Sequence, residues 1–269
     1  MNYKEELLKI HKQYCPEQHI DSGSPVIIQI TGKGYTDFIG RFQKPFDEIF
    51  LSSMKNTLKY LCSKIPECVY GYSENFDFTL VLNPSKSGEG LLCSGYDIHE
   101  ISSMASSMAT LRFNRVFEKA AKSYVMAGNN FDETNKLSAM QGYVASIDKG
   151  ALFTAKVFNL PSEQVFGYIH LQQKHRISSG IFEMGLAYFN ESEISGRSSS
   201  EIQFMVFDKA GVNFDNYPNE FKRGLSCVKN NMYMDELIDA AYEEDAWVID
   251  KNIPILKDEN RDYIDDLLQ

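Results

Sequence analysis

The chain has 269 residues, 43% of them hydrophobic and 13% aromatic, enough to bury a substantial core in one large domain or in one domain with an appendage. Its formal net charge of −10 excludes an evenly basic nucleic-acid-binding surface, because phosphate contacts depend on Lys and Arg. No apolar run approaches the ~20 residues of a membrane span, and five cysteines without a CxxC pair point to neither a disulfide framework nor a zinc site.

A helix is expected near residues 3–14, where MNYKEELLKIHKQY is charged and amphipathic and lacks the apolar stretch of a signal peptide. The chain therefore reads as cytoplasmic. The β-branched run Val26-Ile-Ile-Gln-Ile30 stops at Thr31-Gly-Lys-Gly34, the pattern of a buried strand entering a glycine-rich turn. Asp47 stands in N-cap position for a long helix whose apolar stripe, Leu51, Met54, Leu58, Leu61 and Ile65, ends before Pro66.

Val69–Tyr72 and Phe78–Leu82 flank the polar Ser73-Glu-Asn75 and read as a β-hairpin. After a Gly/Ser-rich loop at Asn83–Gly90, a second long helix is expected from about Ile98 to Met126. Its small residues, Ser102, Ser103, Ala105, Ser106, Ser107 and Ala109, let it lie close against a sheet. A strand at Ala151–Phe158 and a helix from Ser162 to Tyr188 complete the body. Strand, helix, hairpin, helix, strand is the order of a split βαβ layer, so an α+β fold is expected, an antiparallel sheet with helices on one face followed by a helical C-terminal part.

The charge is uneven along the chain. Residues 234–269 carry twelve acidic and three basic side chains, a net of −9, which leaves 25 acidic against 24 basic, a net of −1, for residues 1–233. A main domain at 1–233 and an acidic extension at 234–269 follow. Trp247, Val248, Ile249, Ile253, Ile255 and Leu256 give that extension side chains with which to pack on the domain.

Five segments in order carry a resemblance. They are Ile30-Thr-Gly-Lys-Gly-Tyr-Thr-Asp-Phe38 with Lys44-Pro-Phe-Asp47, then Gly71-Tyr-Ser-Glu-Asn-Phe-Asp-Phe-Thr-Leu-Val-Leu82, and then Ser103-Met-Ala-Ser-Ser-Met-Ala-Thr110 with Phe113-Asn114. Phe153-Thr-Ala-Lys-Val-Phe-Asn-Leu-Pro161 and Gly211-Val-Asn213 with Phe221-Lys-Arg-Gly224 follow. Together they resemble the tRNA-His guanylyltransferase family of 3′-to-5′ nucleotide-adding enzymes, in wording closest to its bacterial-type, tRNA-repair-like branch. The resemblance implies a polymerase-palm fold and two-metal chemistry, in which carboxylates hold Mg2+ ions against GTP or ATP phosphates. It also implies a tRNA partner and an oligomer.

The catalytic positions depart from that pattern. Thr31 and Phe76 stand where the family holds its metal aspartates, Asp77 lies under the neighbouring glutamate, and Thr154 replaces an aspartate of the F-D-x-R strand. A neutral hydroxyl and a phenyl ring offer a hard cation little or nothing, so no catalytic residue and no metal site is expected. The Gly32 carbonyl is the one family ligand retained. Relocated ligands would have to come from Asp37, Glu74 or Asp77.

What the resemblance leaves in place is nucleotide binding, assigned to Thr31, Gly32, Lys33, Gly34, Tyr35, Thr36, Lys44 and Asn75. Glycine turns expose backbone amides to phosphate and the lysines add charge. Lys174, His175 and Arg176 are candidate RNA contacts, with a solvated helix face as the alternative. Arg112, Arg115 and Lys119 read as a solvated stripe, and Tyr35, Phe38 and Phe42 as core. The resulting expectation is a pseudoenzyme binding a nucleotide, an RNA end, or an active family subunit in a homo- or hetero-oligomer. An active enzyme with relocated carboxylates is the alternative.

Overall fold

The computed structural model describes residues 3–14, 18–84, 97–127, 134–229 and 246–268. After α1 (Tyr3–Tyr14), strand β1 (Val26–Gly32) runs into the short helix α2 (Tyr35–Ile39) and the long helix α3 (Glu48–Lys64). Asp47 caps α3 by accepting the Phe50 N–H. This supplies one of the acceptors that a helix start lacks. The hairpin β2 (Cys68–Glu74) and β3 (Asp77–Leu82) then leads to α4 (Ile98–Ala127), α5 (Thr134–Lys149), β4 (Phe153–Asn159) and α6 (Ser162–Gly185).

Helices α7 (Glu191–Ile194), α8 (Ser199–Ala210) and α9 (Asn219–Arg223), strands β5 (Leu225–Lys229) and β6 (Trp247–Asp250), and helix α10 (Asp262–Leu268) complete the described chain. The strands form one antiparallel sheet in the order β4-β1-β3-β2-β5-β6.

Alternation along the strands decides what covers each face. Val26, Ile28, Ile30, Phe78, Leu80 and Leu82 point to one side, where Met54, Leu58 and Leu61 of α3 and Ala105, Ala109 and Phe113 of α4 close over them. Ile27, Tyr70, Tyr72 and Val81 point to the other side and are also buried, against Val165, Phe166 and Ile169 of α6 and Ile264 of α10.

The expectation of helices on one face is therefore corrected. The two helices between the strands do share a face, but the opposite face is apolar as well and is covered by α6 and α10. A third cluster, Ile181, Met184, Ile194, Ile202, Val206, Phe214 and Phe221, joins the end of α6 to α8 and α9.

Helix α6 stops at Gly185, three residues short of expectation, and α5, β5 and β6 are elements the sequence pattern did not announce. The described part of the acidic C-terminal stretch adds β6 to the sheet and α10 to its face. Residues 234–245, and the Gly/Ser-rich loop beyond residue 84, lie outside the described residues. Cys62, Cys68 and Cys227 are buried free thiols, and Cys15 and Cys93 are outside the described set.

Candidate functional site: an aromatic cavity beside the hairpin turn

Glu74 and Asp77 face each other across a two-residue turn, Asn75-Phe76. Asn75 takes the left-handed conformation at φ 47°, which an asparagine tolerates better than most residues. The turn directs Phe76 into the α3/α4 side of the core. Phe76 is 1% exposed. Its ring stacks on Phe38 at 5.2 Å and meets Phe113 and Phe153 edge-on at 5.2 and 4.9 Å, with Phe50 at 5.6 Å. Gly32 lies directly against it. A Cβ there would stand 2.4 Å from the ring and 2.6 Å from the Phe76 carbonyl oxygen.

Thr31 opens the opposite way, onto the α6 side, in register with Asp77 on β3 and Thr154 on β4. The Asp77 carboxylate accepts the Gly32 N–H at 3.2 Å. Burial pushes its pKa up, and the Gly32 bond opposes that shift. Glu74 is raised by burial too, against the pull of His175, whose Nδ1 lies 2.9 Å from its carboxylate. Asp37 is exposed, 3.8 Å from Lys149.

A pair of Mg2+ ions does not fit these residues. Phe76 presents carbon where a carboxylate is needed, Thr31 is neutral, and Asp77 and Glu74 are already bonded to neighbours. Among the described residues no three His, Cys, Asp or Glu side chains form a group able to hold a metal.

Beside the turn lies a cavity of about 590 Å3. Its walls come from α2, the 43–47 segment, α3, the hairpin end, α6 and α9. Phe42, Phe46, Phe50, Phe182 and Phe221 make it strongly aromatic. Of the residues proposed from sequence, Tyr35, Thr36, Lys44, Asn75, His175 and Arg176 line it, whereas Thr31, Gly32, Lys33, Gly34 and Lys174 do not.

The glycine turn is partly used up from within. The Gly32 N–H donates to Phe76 O at 3.0 Å and the Lys33 N–H to Leu152 O at 2.9 Å. Neither amide is left for a phosphate, which corrects that part of the expectation. Gly34 takes φ 68° as it opens α2, a left-handed conformation glycine adopts without a Cβ penalty. Lys44 is exposed at the rim. Asp47 is spoken for, accepting from Phe50, from the Gln43 N–H at 3.0 Å and from the Tyr143 hydroxyl at 2.6 Å.

Arg176 is not presented on the surface as the RNA reading expected. It is 5% exposed and its guanidinium is committed inside the cavity wall. The Nε–H donates to Phe221 O at 2.9 Å, and Nη2 and Nη1 donate to Glu183 at 2.8 and 3.3 Å. Nη1 also bonds the Asn75 side chain, and the group sits 5.0 Å over the Phe221 ring. Glu183 in turn accepts the Tyr35 hydroxyl at 2.7 Å, so Tyr35 belongs to this network as much as to the core. Lys174 and His175 are exposed. Arg112 lies over the Tyr60 ring at 4.9 Å, while Arg115 and Lys119 are exposed, as expected of a solvated stripe.

Glu183, Phe182 and Glu220 went unnoticed in the sequence, and Phe221 entered only as part of the Phe221–Gly224 segment of the resemblance. The one available signal was the seven-residue spacing of Arg176 and Glu183, which puts opposite charges on one helix face two turns apart.

Comparison with known proteins agrees with this architecture. Residues 8–161 match the family described as tRNAHis guanylyltransferase (Thg1). A tRNA(His) guanylyltransferase of Debaryomyces hansenii is 21% identical over 238 residues, covering 84% of this chain and 81% of that protein.

Two solved bacterial tRNA(His) guanylyltransferase (Thg1)-like structures share the fold over 99% of both chains. The one in complex with ATP has a TM-score of 0.78 at 19% identity, and the one in complex with GTP 0.71 at 18%. The family match spans more than half of the 269 residues, and this chain belongs to the tRNAHis guanylyltransferase family.

Proposed function

We propose that this protein is a palm-fold member of its family that binds a nucleoside triphosphate in the aromatic cavity and has given up two-metal nucleotide transfer. The strand order β4-β1-β3-β2 with α3 and α4 on one face supports the palm reading. One observation carries the loss of chemistry: Phe76, at the family's metal position, is a core side chain held among four phenyl rings.

The retained ligand site rests on the cavity beside it. Its aromatic walls suit a nucleobase, and Lys44 at the rim supplies a charge for phosphates. The ATP and GTP complexes of the two bacterial structures make a purine nucleoside triphosphate the ligand to try. A tRNA 5′ end is the macromolecular partner, as the names of the relatives imply, and an active family subunit or a second copy is the protein partner.

Calorimetric titration with GTP and ATP is the test. Binding of equal strength in Mg2+ and in EDTA, weakened tenfold or more in Lys44→Glu, is expected; tenfold corresponds to about 1.4 kcal/mol. Mg2+-dependent incorporation of labelled GTP into a 5′-truncated tRNA by the purified protein would overturn the proposal.

A second reading keeps activity with relocated carboxylates. The observation in its favour is that Asp77 lies directly across from Thr31 on the same face as Glu74. It requires that Asp77→Asn abolish an incorporation activity that the parent displays.

A further inference from the structure

Each carboxylate in the wall of the aromatic cavity, except one, faces a basic side chain. Glu183 meets Arg176 at 2.8 Å, Glu74 meets His175 at 2.9 Å, and Glu220 meets Lys55 at 2.7 Å. Asp47, the remaining carboxylate of the wall, is 8% exposed and pairs with no Lys, Arg or His among the described residues. Its bonds come from the Phe50 and Gln43 amides and the Tyr143 hydroxyl, all neutral donors. Its hydrogen bonding is taken up while its charge stays unbalanced. Burial pushes the Asp47 pKa up, against the pull of these donors. A buried carboxylate in that state is stabilised by positive charge brought beside it.

The rings around Asp47 favour the same kind of guest. Phe42, Phe46 and Phe50 belong to its own stretch of chain, and Phe182 and Phe221 stand on α6 and α9. The face of an aromatic ring carries partial negative charge and attracts a desolvated cation. One ring of this wall already does so, since the Arg176 guanidinium lies 5.0 Å over Phe221. Lys44 is the opposite pole, exposed at the rim in the same segment as Asp47. The cavity therefore favours positive charge inside and negative charge at its mouth.

We propose that the ligand of this cavity is a nucleotide whose base is itself a cation, an N-methylated purine of the 7-methylguanosine kind. The base lies between the rings beside Asp47, and its phosphates lie at Lys44. This rests on the reading of the cavity as a nucleotide site and adds the charge of the base to it. A small ammonium ion would leave most of a cavity of about 590 Å3 empty, and a Lys or Arg side chain brings no anion for the rim. A methylated purine fills the slot and spreads its charge over a plane, which weakens its hold on water, and it arrives joined to phosphates.

Calorimetric titration of the full chain in EDTA at neutral pH tests this with three ligands: GTP, 7-methyl-GTP, and 7-methyl-7-deaza-GTP, which keeps the methyl group and lacks the charge. Binding of 7-methyl-GTP on the order of tenfold tighter than of either neutral ligand is expected. Asp47→Asn keeps a helix-capping side chain and removes the charge, and Phe46→Leu keeps an apolar side chain and removes a ring face. Each is expected to bring the preference for 7-methyl-GTP over GTP down to about twofold or less, with folding checked by circular dichroism. Should Asp47→Asn fail to fold, Phe46→Leu carries the comparison.

A short RNA with 7-methylguanosine at its 5′ end, run beside the same RNA unmethylated, separates the two sources of such a base. A preference confined to the RNA pair assigns the cation to an RNA end, and one confined to the nucleotide pair assigns it to a free ligand. Equal affinity for methylated and unmethylated ligands, in both pairs, overturns the proposal. So does a preference that 7-methyl-7-deaza-GTP shares, or one that survives both substitutions. Failure of every nucleotide to bind would overturn the nucleotide reading of the cavity itself, and this inference with it.

Discussion

Replacing Phe76 by Asp introduces the residue that the resemblance implies for this position, and in this chain it should unfold the site rather than repair it. The ring is 1% exposed and touches Phe38, Phe50, Phe113 and Phe153. Removing a buried phenyl costs roughly 3–5 kcal/mol. A carboxyl left among rings adds roughly 1–3 kcal/mol even when it takes up a proton. The sum, roughly 4–8 kcal/mol, is comparable to the whole stability of many domains. At roughly 2–4 °C per kcal/mol for a chain of this size, the melting temperature should fall by at least about 8 °C. Thermal unfolding by circular dichroism and a urea midpoint at neutral pH are the assays, with Phe76→Leu as a milder control. A Phe76→Asp variant that melts within about 2 °C of the parent would refute the reasoning, because it would place position 76 in water, where a metal could be held.

Four further outcomes follow from the same geometry. Gly32→Ala drives a methyl to 2.6 Å from the Phe76 carbonyl and should lower stability by about 1–3 kcal/mol; truncating the ring with Phe76→Ala should not rescue it, since the carbonyl clash remains. Arg176→Met strands Glu183 and should cost about 3–5 kcal/mol, part of which returns in Arg176→Met/Glu183→Leu. His175→Ala removes an exposed imidazole from the largely buried Glu74 and should cost about 1–2 kcal/mol, less than Arg176→Met, and urea unfolding of the four proteins would separate these cases. Asp47, Glu74 and Asp77 all have pKa values raised chiefly by burial, so the folded state holds their protons more tightly than the unfolded chain does. Their contribution to stability is fully present below the ordinary carboxylate range near pH 4 and is lost as pH rises through the folded values. Asp77→Asn should flatten that decline above the ordinary carboxylate range, and a steeper decline in the variant would contradict the assignment.

Much of the fold was legible because single elements carry their own pattern. The run Val26–Ile30, the stripe Leu51–Ile65 behind Asp47, and the two halves of the hairpin announce themselves by period and by punctuation. The element that escaped, α5, has Gly142 in its interior, a residue that argues against a helix. The structure gives the reason for it: a Cβ at 142 would lie 2.7 Å from the Arg41 side chain. Strand β5 is five residues long and is defined by pairing with β2 and β6, contacts remote in sequence. The second covered face was hidden for a similar reason, since Tyr70 and Tyr72 read as hairpin residues until α6 is seen to lie over them. As for the site, the departures at Thr31 and Phe76 were readable one residue at a time. The role of Arg176 was not, because its neighbours Asn75, Glu183 and Phe221 come from three separate stretches of chain.

That arrangement has a consequence for recognition. One guanidinium fixes the hairpin tip, the end of α6 and helix α9, and through Glu183 it also fixes Tyr35 on α2. The cavity walls are thus set in place when the chain folds, so a planar ligand entering between them has little ordering left to impose and meets a slot already shaped. The same rigidity narrows what can enter. With the hydrogen bonds of Asp47, Glu183 and Arg176 all taken by neighbours, what the cavity offers a planar ligand besides charge is the shape of its aromatic walls together with Gln43, Ser73 and the serines of α6.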